Sequence, residues 1–93
     1  MKKFLHLSVN PIDQTGRKLI EKKLDKAADW LRYLPNCWLI YTAQPARVWY
    51  ERLSEVTEEI EGCNLFIAEV NLRNRAGWIK TSAWDWINKK RPE

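Results

Sequence analysis

Apolar residues recur along the chain at two different periods, which predict strands and helices in alternation. Leu5, Leu7 and Val9 share one face of a first strand, because successive side chains of a strand point to opposite faces. A helix follows, in which apolar residues recur at helical spacing: Ile20, Leu24, Ala27, Ala28 and Leu31. We expect Thr15 to cap this helix and the helix to end near Asp29, although the periodicity also allows it to continue to residue 33.

The middle of the chain predicts a strand, a turn, a second strand and a second helix. Residues 30–34 form the short second strand, and Pro35-Asn36 turns the chain into a third strand over 37–43. The second helix opens with Pro45 at its first helical position, where the missing N–H costs nothing. Its apolar residues again recur at helical spacing: Trp49, Leu53, Val56 and Ile60. Gly62 is suited to end this helix, since glycine accepts a positive φ.

A fourth strand, a hairpin and a short last helix complete the predicted elements. The fourth strand has two apolar faces, one with Phe66, Ala68, Val70 and Leu72 and the other with Leu65 and Ile67. A turn at 74–77 leads into a fifth strand at Trp78-Ile79. Thr81 or Ser82 then caps a helix that carries Trp84, Trp86 and Ile87.

These elements predict one α+β domain over residues 1–93. Their order is β-α-β-β-α-β with a hairpin strand and a helix added, which is the ferredoxin-like pattern of an antiparallel sheet with two helices on one face. The other face is left with apolar side chains and one histidine. We expect it to pair with a second copy of the chain or to lie under the C-terminal helix. The residues expected at a homodimer interface are Phe4, His6, Trp38, Leu65 and Ile67.

The charges are segregated along the chain, with a formal net charge of +4. Acidic residues crowd the second helix, and basic residues crowd the first helix and the C-terminal end. Lys and Arg side chains that contact phosphates give affinity that does not depend on nucleotide sequence, and an exposed tryptophan can stack on bases. The alternative is that these charges only keep the surface solvated. The candidate DNA or RNA contacts are Arg17, Lys18, Lys22, Arg73, Arg75, Lys80, Lys89, Lys90 and Arg91.

Residue types that commonly form catalytic or metal sites in other proteins are few in this sequence. Cys37 and Cys63 lack metal-ligand spacing and are expected to be reduced, which is typical of a cytoplasmic protein. His6 is the one histidine, so a Ser/His/Asp triad is not indicated, and we interpret it as a packed residue. The three glycines stand singly and form no phosphate-binding loop. No cofactor is predicted, and no stretch reaches the length of a membrane span.

Several local features together resemble the small ferredoxin-like subunit of the CRISPR spacer-acquisition complex and its VapD and SinR-like relatives. They are a first strand that ends in the polar residue Asn10, a loop into a basic helix, and a strand over 36–42 that reads Asn-Cys-Trp-Leu-Ile-Tyr-Thr. A helix then leads into Cys-Asn-Leu-Phe-Ile-Ala-Glu-Val at 63–70. The tail over 83–87, Ala-Trp-Asp-Trp-Ile, is similar to the tryptophan-containing end of SinR-like chains. The resemblance covers most of the chain, as a pattern of apolar runs.

The resemblance implies a homodimer and, in some members, a metal-dependent nuclease. In those members an aspartate at the end of the first strand of each subunit holds the divalent cation. The matching position here is Asn10, whose neutral amide binds Mg²⁺ less well than a carboxylate. Asp13 lies three residues further on, beyond Pro11. Asn10 and Asp13 are therefore weak candidates for catalysis, and Mg²⁺ is expected only if the protein is a nuclease.

Three hypotheses about function follow. The first is a homodimeric protein that contacts nucleic acid or a nucleic-acid-handling complex of the CRISPR, defence or toxin–antitoxin type, without nuclease activity. The second is a protein-interaction module or inhibitor from a mobile element or a defence system, acting through its tryptophans and its acidic second helix. The third is a metal-dependent nuclease. No membrane partner is expected.

Overall fold

A computed structural model describes residues 1–90 of the chain, which form four strands and three helices. The strands are β1 (Lys3–Asn10), β2 (Asp29–Leu34), β3 (Cys37–Thr42) and β4 (Asn64–Val70). The helices are α1 (Gln14–Leu24), α2 (Ala46–Thr57) and α3 (Thr81–Lys90). The α+β class is thereby confirmed. The candidate phosphate contact Arg91 lies outside the described residues.

The four strands form one antiparallel sheet in the order β2-β3-β1-β4. This arrangement is consistent with a ferredoxin-like α+β fold. The central strand β1 pairs with β3 on one side and with β4 on the other, so that Leu7 lies opposite both Trp38 and Ile67. β2 and β4 are the two edges. The β2 edge is irregular, because its register shifts between Arg32 and Leu34.

One face of the sheet, called the helix face below, packs against α1 and α2. Alternation along β1 turns Leu5, Leu7 and Val9 into this layer, and α1 and α2 present their apolar stripes to it. Its fully buried large side chains include two tryptophans with satisfied N–H groups. Trp49 Nε1 donates to Thr42 Oγ1 at 3.0 Å, and Trp38 Nε1 donates to Glu21 Oε2 at 3.0 Å.

The opposite face, called the reverse face, lies under α3. Phe4 is only 3 % exposed, and its ring lies 6.0 Å from the Trp86 ring of α3. The end of α3 is held to the β2 edge by Lys90, whose Nζ lies 3.0 Å from Asp29 Oδ2. Of the two expected covers for this face, the chain's own helix is the one that the structure contains. The packing places α3 over the sheet as a third layer.

Three residues expected on the reverse face lie on the helix face instead. Trp38 is fully buried there, and Leu65 and Ile67 pack against the same core. The ladder gives the reason, because Val9 lies opposite Leu65 and Leu7 opposite Ile67, and directly opposed residues share a face. The reverse face therefore carries the other set of β4 side chains: Phe66, Ala68 and Val70.

The boundaries of α1 differ from those expected. Asp13, not Thr15, is the N-cap, and its Oδ1 accepts a hydrogen bond from the Gly16 N–H at 2.8 Å. Gly16 is buried, and a Cβ there would lie 2.7 Å from Ile12 Cγ1, so the residue permits a close approach of the preceding loop. The helix ends at Leu24, earlier than predicted, and Leu31 belongs to β2.

The second helix is also shorter than its apolar stripe. Pro45 is its N-cap rather than its first helical residue, and the helix ends at Thr57. Ile60 lies beyond that end in a series of turns and still packs against the core. Gly62 has the positive φ that was expected, +70°, at the last turn before β4.

The predicted fifth strand is not present in the described chain. Residues 71–80 are irregular and cross from β4 to the start of α3. Local hydrogen bonds hold this segment, which we call the crossover segment. Asn71 Oδ1 accepts from the Arg73 N–H at 2.9 Å, and Arg75 donates to the Leu72 carbonyl at 2.9 Å. The apolar run Trp78-Ile79 has only two residues, which is too short to predict a strand. Its first side chain, Trp78, is exposed to solvent.

Candidate functional site

A basic cleft lies where the N-terminal end of α1, the β2–β3 turn and the start of α3 meet. Its volume is about 340 Å³, and three cationic side chains from three separate elements line it: Arg17, Arg32 and Lys80. The remaining lining residues are Gln14, Tyr33, Leu34 and Pro35. We call this site the basic cleft. Two of the nine predicted phosphate contacts, Arg17 and Lys80, therefore come together in it.

Arg17 is positioned by neutral oxygen atoms, and no carboxylate in residues 1–90 is bound to it to offset its charge. Its guanidinium donates to the Ile12 carbonyl at 3.1 Å and to Asn36 Oδ1 at 3.3 Å. Two further bonds reach Gln14 Oε1 at 3.4 and 3.3 Å. A guanidinium held in this way is half-buried and oriented before any anion arrives.

The other two cations of the cleft differ in their pairing. Arg32 Nε lies 3.5 Å from Glu21 Oε2, so part of its charge is offset. Lys80 is exposed and has no ion pair or hydrogen bond with any side chain in residues 1–90. The cleft thus has two cations without an acidic partner within the described chain, which makes it a local site of positive potential.

A fully exposed indole precedes the cleft residue Lys80 by two positions in the chain. Trp78 is 99 % exposed, the highest value for any tryptophan described, and it lies two residues before Lys80. Burial of an indole is strongly favourable, so a tryptophan left in water is one that the fold does not use. Single-stranded bases stack on exposed aromatic side chains that accompany a positively charged groove.

The other predicted phosphate contacts within residues 1–90 do not line this cleft. Lys90 holds α3 to Asp29 and lies over the Tyr41 ring at 5.6 Å, so it is structural. Arg75 is structural as well, since it bonds the Leu72 carbonyl and Asn88 Oδ1, both at 2.9 Å. The remaining four lie exposed on α1, the crossover segment and α3: Lys18, Lys22, Arg73 and Lys89.

Both weak catalytic candidates are engaged in local structure. Asn10 Oδ1 accepts a hydrogen bond from Asn36 Nδ2 at 2.7 Å, which joins the end of β1 to the β2–β3 turn. Asp13 caps α1 through its carboxylate. Within residues 1–90 no group of three His, Cys, Asp or Glu side chains is placed to share a metal ion. Cys37 and Cys63 are free thiols, and burial raises the pKa of Cys63.

A second cavity adjoins the basic cleft on the reverse face. It measures about 210 Å³ and lies between the sheet, the crossover segment and α3. Its lining is mainly apolar: Leu39, Val70, Leu72, Ala76, Gly77, Ile79, Trp84 and Ile87, with the polar side chains His6, Tyr33 and Arg75. We call it the apolar cavity. Tyr33 lines both sites, and Ile79 of the cavity is followed directly by Lys80 of the cleft.

His6 and Tyr33 form a polar pair on the floor of the apolar cavity. His6 Nε2 and Tyr33 Oη are hydrogen-bonded, and the two rings lie 5.7 Å apart. Burial lowers the pKa of His6 from 6.5, so the imidazole is neutral at pH 7. Burial also raises the pKa of Tyr33, and the neighbouring Cys37 adds to this effect, so the phenol keeps its proton. The pair therefore presents neutral hydrogen-bonding groups.

Sequence reasoning missed Arg32, Tyr33 and Gln14 as members of one site. Arg32 and Tyr33 lie in a short strand that was predicted, whereas Gln14 begins a helix whose start was predicted two residues too late. The available signal was the position of Arg32 and Tyr33 just before the Pro35-Asn36 turn, because that turn returns the end of β2 towards the start of α1. The prediction of phosphate contacts relied on clusters of charge along the sequence, so it did not include the isolated Arg32.

Comparison of the chain with protein-family models, with curated proteins and with solved structures finds no match. None of the three helices described here has the length and hydropathy that crossing a lipid bilayer requires.

Proposed function

We propose that this protein contacts single-stranded nucleic acid, DNA or RNA, through the basic cleft. The observation that carries the proposal is the meeting of Arg17, Arg32 and Lys80 from three separate elements, with two of the three lacking an acidic partner in residues 1–90. Side chains that converge in this way contact successive phosphates of one strand. Such contacts release counterions and give affinity that falls with salt.

The exposed indole of Trp78 supports a single strand over a duplex. Bases in a duplex are stacked on each other, whereas the bases of a single strand are free to stack on an aromatic side chain. Trp78 lies two residues before Lys80 in the chain, so we expect a base stacked on the indole to have its phosphate within reach of the cleft. Stacking on one aromatic side chain contributes about 1–3 kcal/mol per base.

We propose no nuclease chemistry for this chain. Asn10 offers a neutral amide oxygen that is already bonded to Asn36, and Asp13 is occupied as the cap of α1. A cation of the Mg²⁺ type prefers carboxylate oxygen ligands that are free to turn towards it. Engagement of both side chains in local structure supports binding without cleavage.

The ferredoxin-like assignment and the kinship with the CRISPR spacer-acquisition subunit and its VapD and SinR-like relatives are part of the same proposal. Their support is the order of the elements along the chain and the sheet order β2-β3-β1-β4. A setting in a nucleic-acid-handling complex of the CRISPR, defence or toxin–antitoxin type would suit a small protein that binds strands and does not cut them.

The test is fluorescence anisotropy with a labelled single-stranded octanucleotide between 50 and 200 mM salt. Arg17→Ala and Lys80→Ala should each weaken binding and lower the slope of log K against log salt by about 0.7, the value for one phosphate contact on a single strand. Lys26→Ala is the matched control, because it removes the same charge from an exposed position outside the cleft. We expect the control to leave the slope unchanged.

Two results would contradict the proposal. The first is no binding of the octanucleotide at 50 mM salt, where electrostatic affinity is strongest. The second is an equal loss in all three variants, which would mean that net charge and not the cleft carries the affinity. If Trp78→Ala binds the octanucleotide as tightly as the wild type, stacking on Trp78 is contradicted, whereas phosphate binding in the basic cleft is not.

A further inference from the structure

We infer that the apolar cavity accepts one unstacked nucleobase of the strand whose phosphates lie in the basic cleft. This inference rests on the proposed function and specifies the part of the ligand that enters the protein. Its starting point is the contiguity of the two sites, which share Tyr33 and meet again at the consecutive residues Ile79 and Lys80. A nucleotide has the same two parts, a flat ring and a charged phosphate, joined by one sugar.

The size of the cavity limits its occupant to a single ring system. At about 210 Å³ it is smaller than the roughly 300–1,000 Å³ of clefts that hold drug-sized ligands. Its walls are the aliphatic side chains of the sheet and crossover segment, with the Trp84 indole of α3 as an aromatic surface. Pockets for extruded bases combine these two features, apolar or aromatic walls and a few polar groups at the edge of the ring.

The polar groups of the cavity suit the hydrogen-bonding edge of a base. The Tyr33 phenol and the neutral His6 imidazole each donate or accept, depending on the tautomer. His6 Nε2 is bonded to Tyr33, while His6 Nδ1 has no partner among residues 1–90. A neutral donor and acceptor pair favours an uncharged, polar-edged ring over a phosphate, which the neighbouring cleft holds. The cation of the lining, Arg75, is bonded to the Leu72 carbonyl and to Asn88 Oδ1.

The single histidine makes the inference testable by NMR, because the His6 ring reports on the cavity that it lines. His6 is the one histidine of the chain, so its ring gives one set of NMR signals. Titration with a single-stranded octanucleotide should shift these signals. An octamer of abasic sugar–phosphate should still bind the cleft and should leave the His6 signals in place. Free nucleoside 5′-monophosphate, added separately, distinguishes a mononucleotide ligand from a strand.

A variant that fills the apolar cavity, compared with a matched control, tests whether the His6 shift arises from a base inside the cavity. Ala76 is exposed at the rim of the cavity, so Ala76→Phe places a ring in it without disturbing the core. Asn74→Phe adds the same ring to an exposed position of the crossover segment that does not line the cavity. Ala76→Phe should abolish the His6 shift, and Asn74→Phe should keep it.

The affinities of the intact and the abasic octamer give a second measurement, which does not depend on filling the cavity. In a Trp78→Ala background, which removes stacking on the surface, the intact octamer should bind about 5- to 150-fold more tightly than the abasic octamer. Ala76→Phe should bring that ratio close to one. Silent His6 signals with Arg17-dependent binding still present would overturn the base pocket and leave the cleft standing. Absence of any binding at 50 mM salt would overturn both.

Discussion

The two faces of the sheet are covered in different ways. The helix face meets two helices, and its core contains two fully buried tryptophans whose N–H groups are both bonded. The reverse face meets the single helix α3, and between them a cavity of about 210 Å³ is left open. Large side chains interlock on the first face, while on the second a half-buried histidine and phenol sit beside unfilled space.

This difference separates stability from binding within a small domain. Cavities cost stability, because the atoms that line them lose contacts. The helix face supplies the main core, in which Leu7, Trp38 and Trp49 are fully buried. The reverse face has room for a ligand because the core on the other side already stabilises the sheet. The comparison predicts that truncating a buried side chain lowers the free energy of unfolding more on the helix face than on the reverse face.

The largest effect is expected on the helix face. Trp49→Ala should reduce the free energy of unfolding by about 3–5 kcal/mol, because it leaves a large cavity and removes the hydrogen bond from the indole to Thr42 Oγ1. Urea denaturation followed by circular dichroism measures the loss. Trp78→Ala is the matched control, since the same truncation at a 99 % exposed position should cost no more than about 0.5 kcal/mol. Equal losses in the two variants would contradict the layer assignment.

An intermediate effect is expected under α3. Ile87 is 4 % exposed but borders the apolar cavity, so it has fewer neighbours to lose than a residue of the helix face. Ile87→Ala should therefore cost about 2 kcal/mol, the lower end of the range for isoleucine truncations in cores. The measurement is again urea denaturation. A loss as large as that of Trp49→Ala would mean that the reverse face is packed as tightly as the helix face.

The elements of both faces were predictable from the sequence, but their assignment to a face was not. Alternation separates Leu65 and Ile67 from Phe66 and Ala68 without saying which pair meets the helices. That choice depends on the register with β1, where Leu7 lies opposite Ile67. Register is a long-range property, and local periodicity does not contain it.

The basic cleft was predictable only in part for a similar reason. Arg17 and Lys80 were named as cations of a helix and of a hairpin, and they meet because the β2–β3 turn and α3 approach the same end of α1. Arg32 was overlooked since a single arginine in a strand carries no local signal. The Trp78 indole was assigned to a strand because apolar character was read as burial, whereas the crossover segment leaves it in solvent.

A smaller effect is expected from the ion pair that holds the end of α3. Asp29 and Lys90 lie 3.0 Å apart with partly exposed side chains, so the pair should contribute less than about 1 kcal/mol. A double-mutant cycle of Asp29→Asn and Lys90→Gln measures it. Burial alone would raise the pKa of Asp29, but the hydrogen bonds and charge of Lys90 and its other partners lower it overall. The contribution is therefore present above pH 3.8 and lost as the pH falls below that value.

The smallest effect expected from the comparison is a pH dependence that belongs to the reverse face alone. Burial lowers the pKa of His6 in the folded protein below the 6.5 of the unfolded chain. Between these two values the unfolded chain binds more protons than the folded one, so the free energy of unfolding rises with pH up to about 6.5 and is level above it. Wild-type protein should thus be less stable at pH 5.5 than at pH 7.

The control for this prediction is His6→Gln, which keeps a polar side chain and removes the titration. No other histidine is present, and the carboxylates with shifted pKa values titrate from normal values of 3.8 and 4.5 downward. The His6→Gln variant should therefore be equally stable at pH 5.5 and pH 7 in urea denaturation. Greater wild-type stability at pH 5.5 would require a charged imidazole that the fold stabilises. The apolar cavity would then hold a cation on its floor, and a neutral base edge would no longer be the group that fits it.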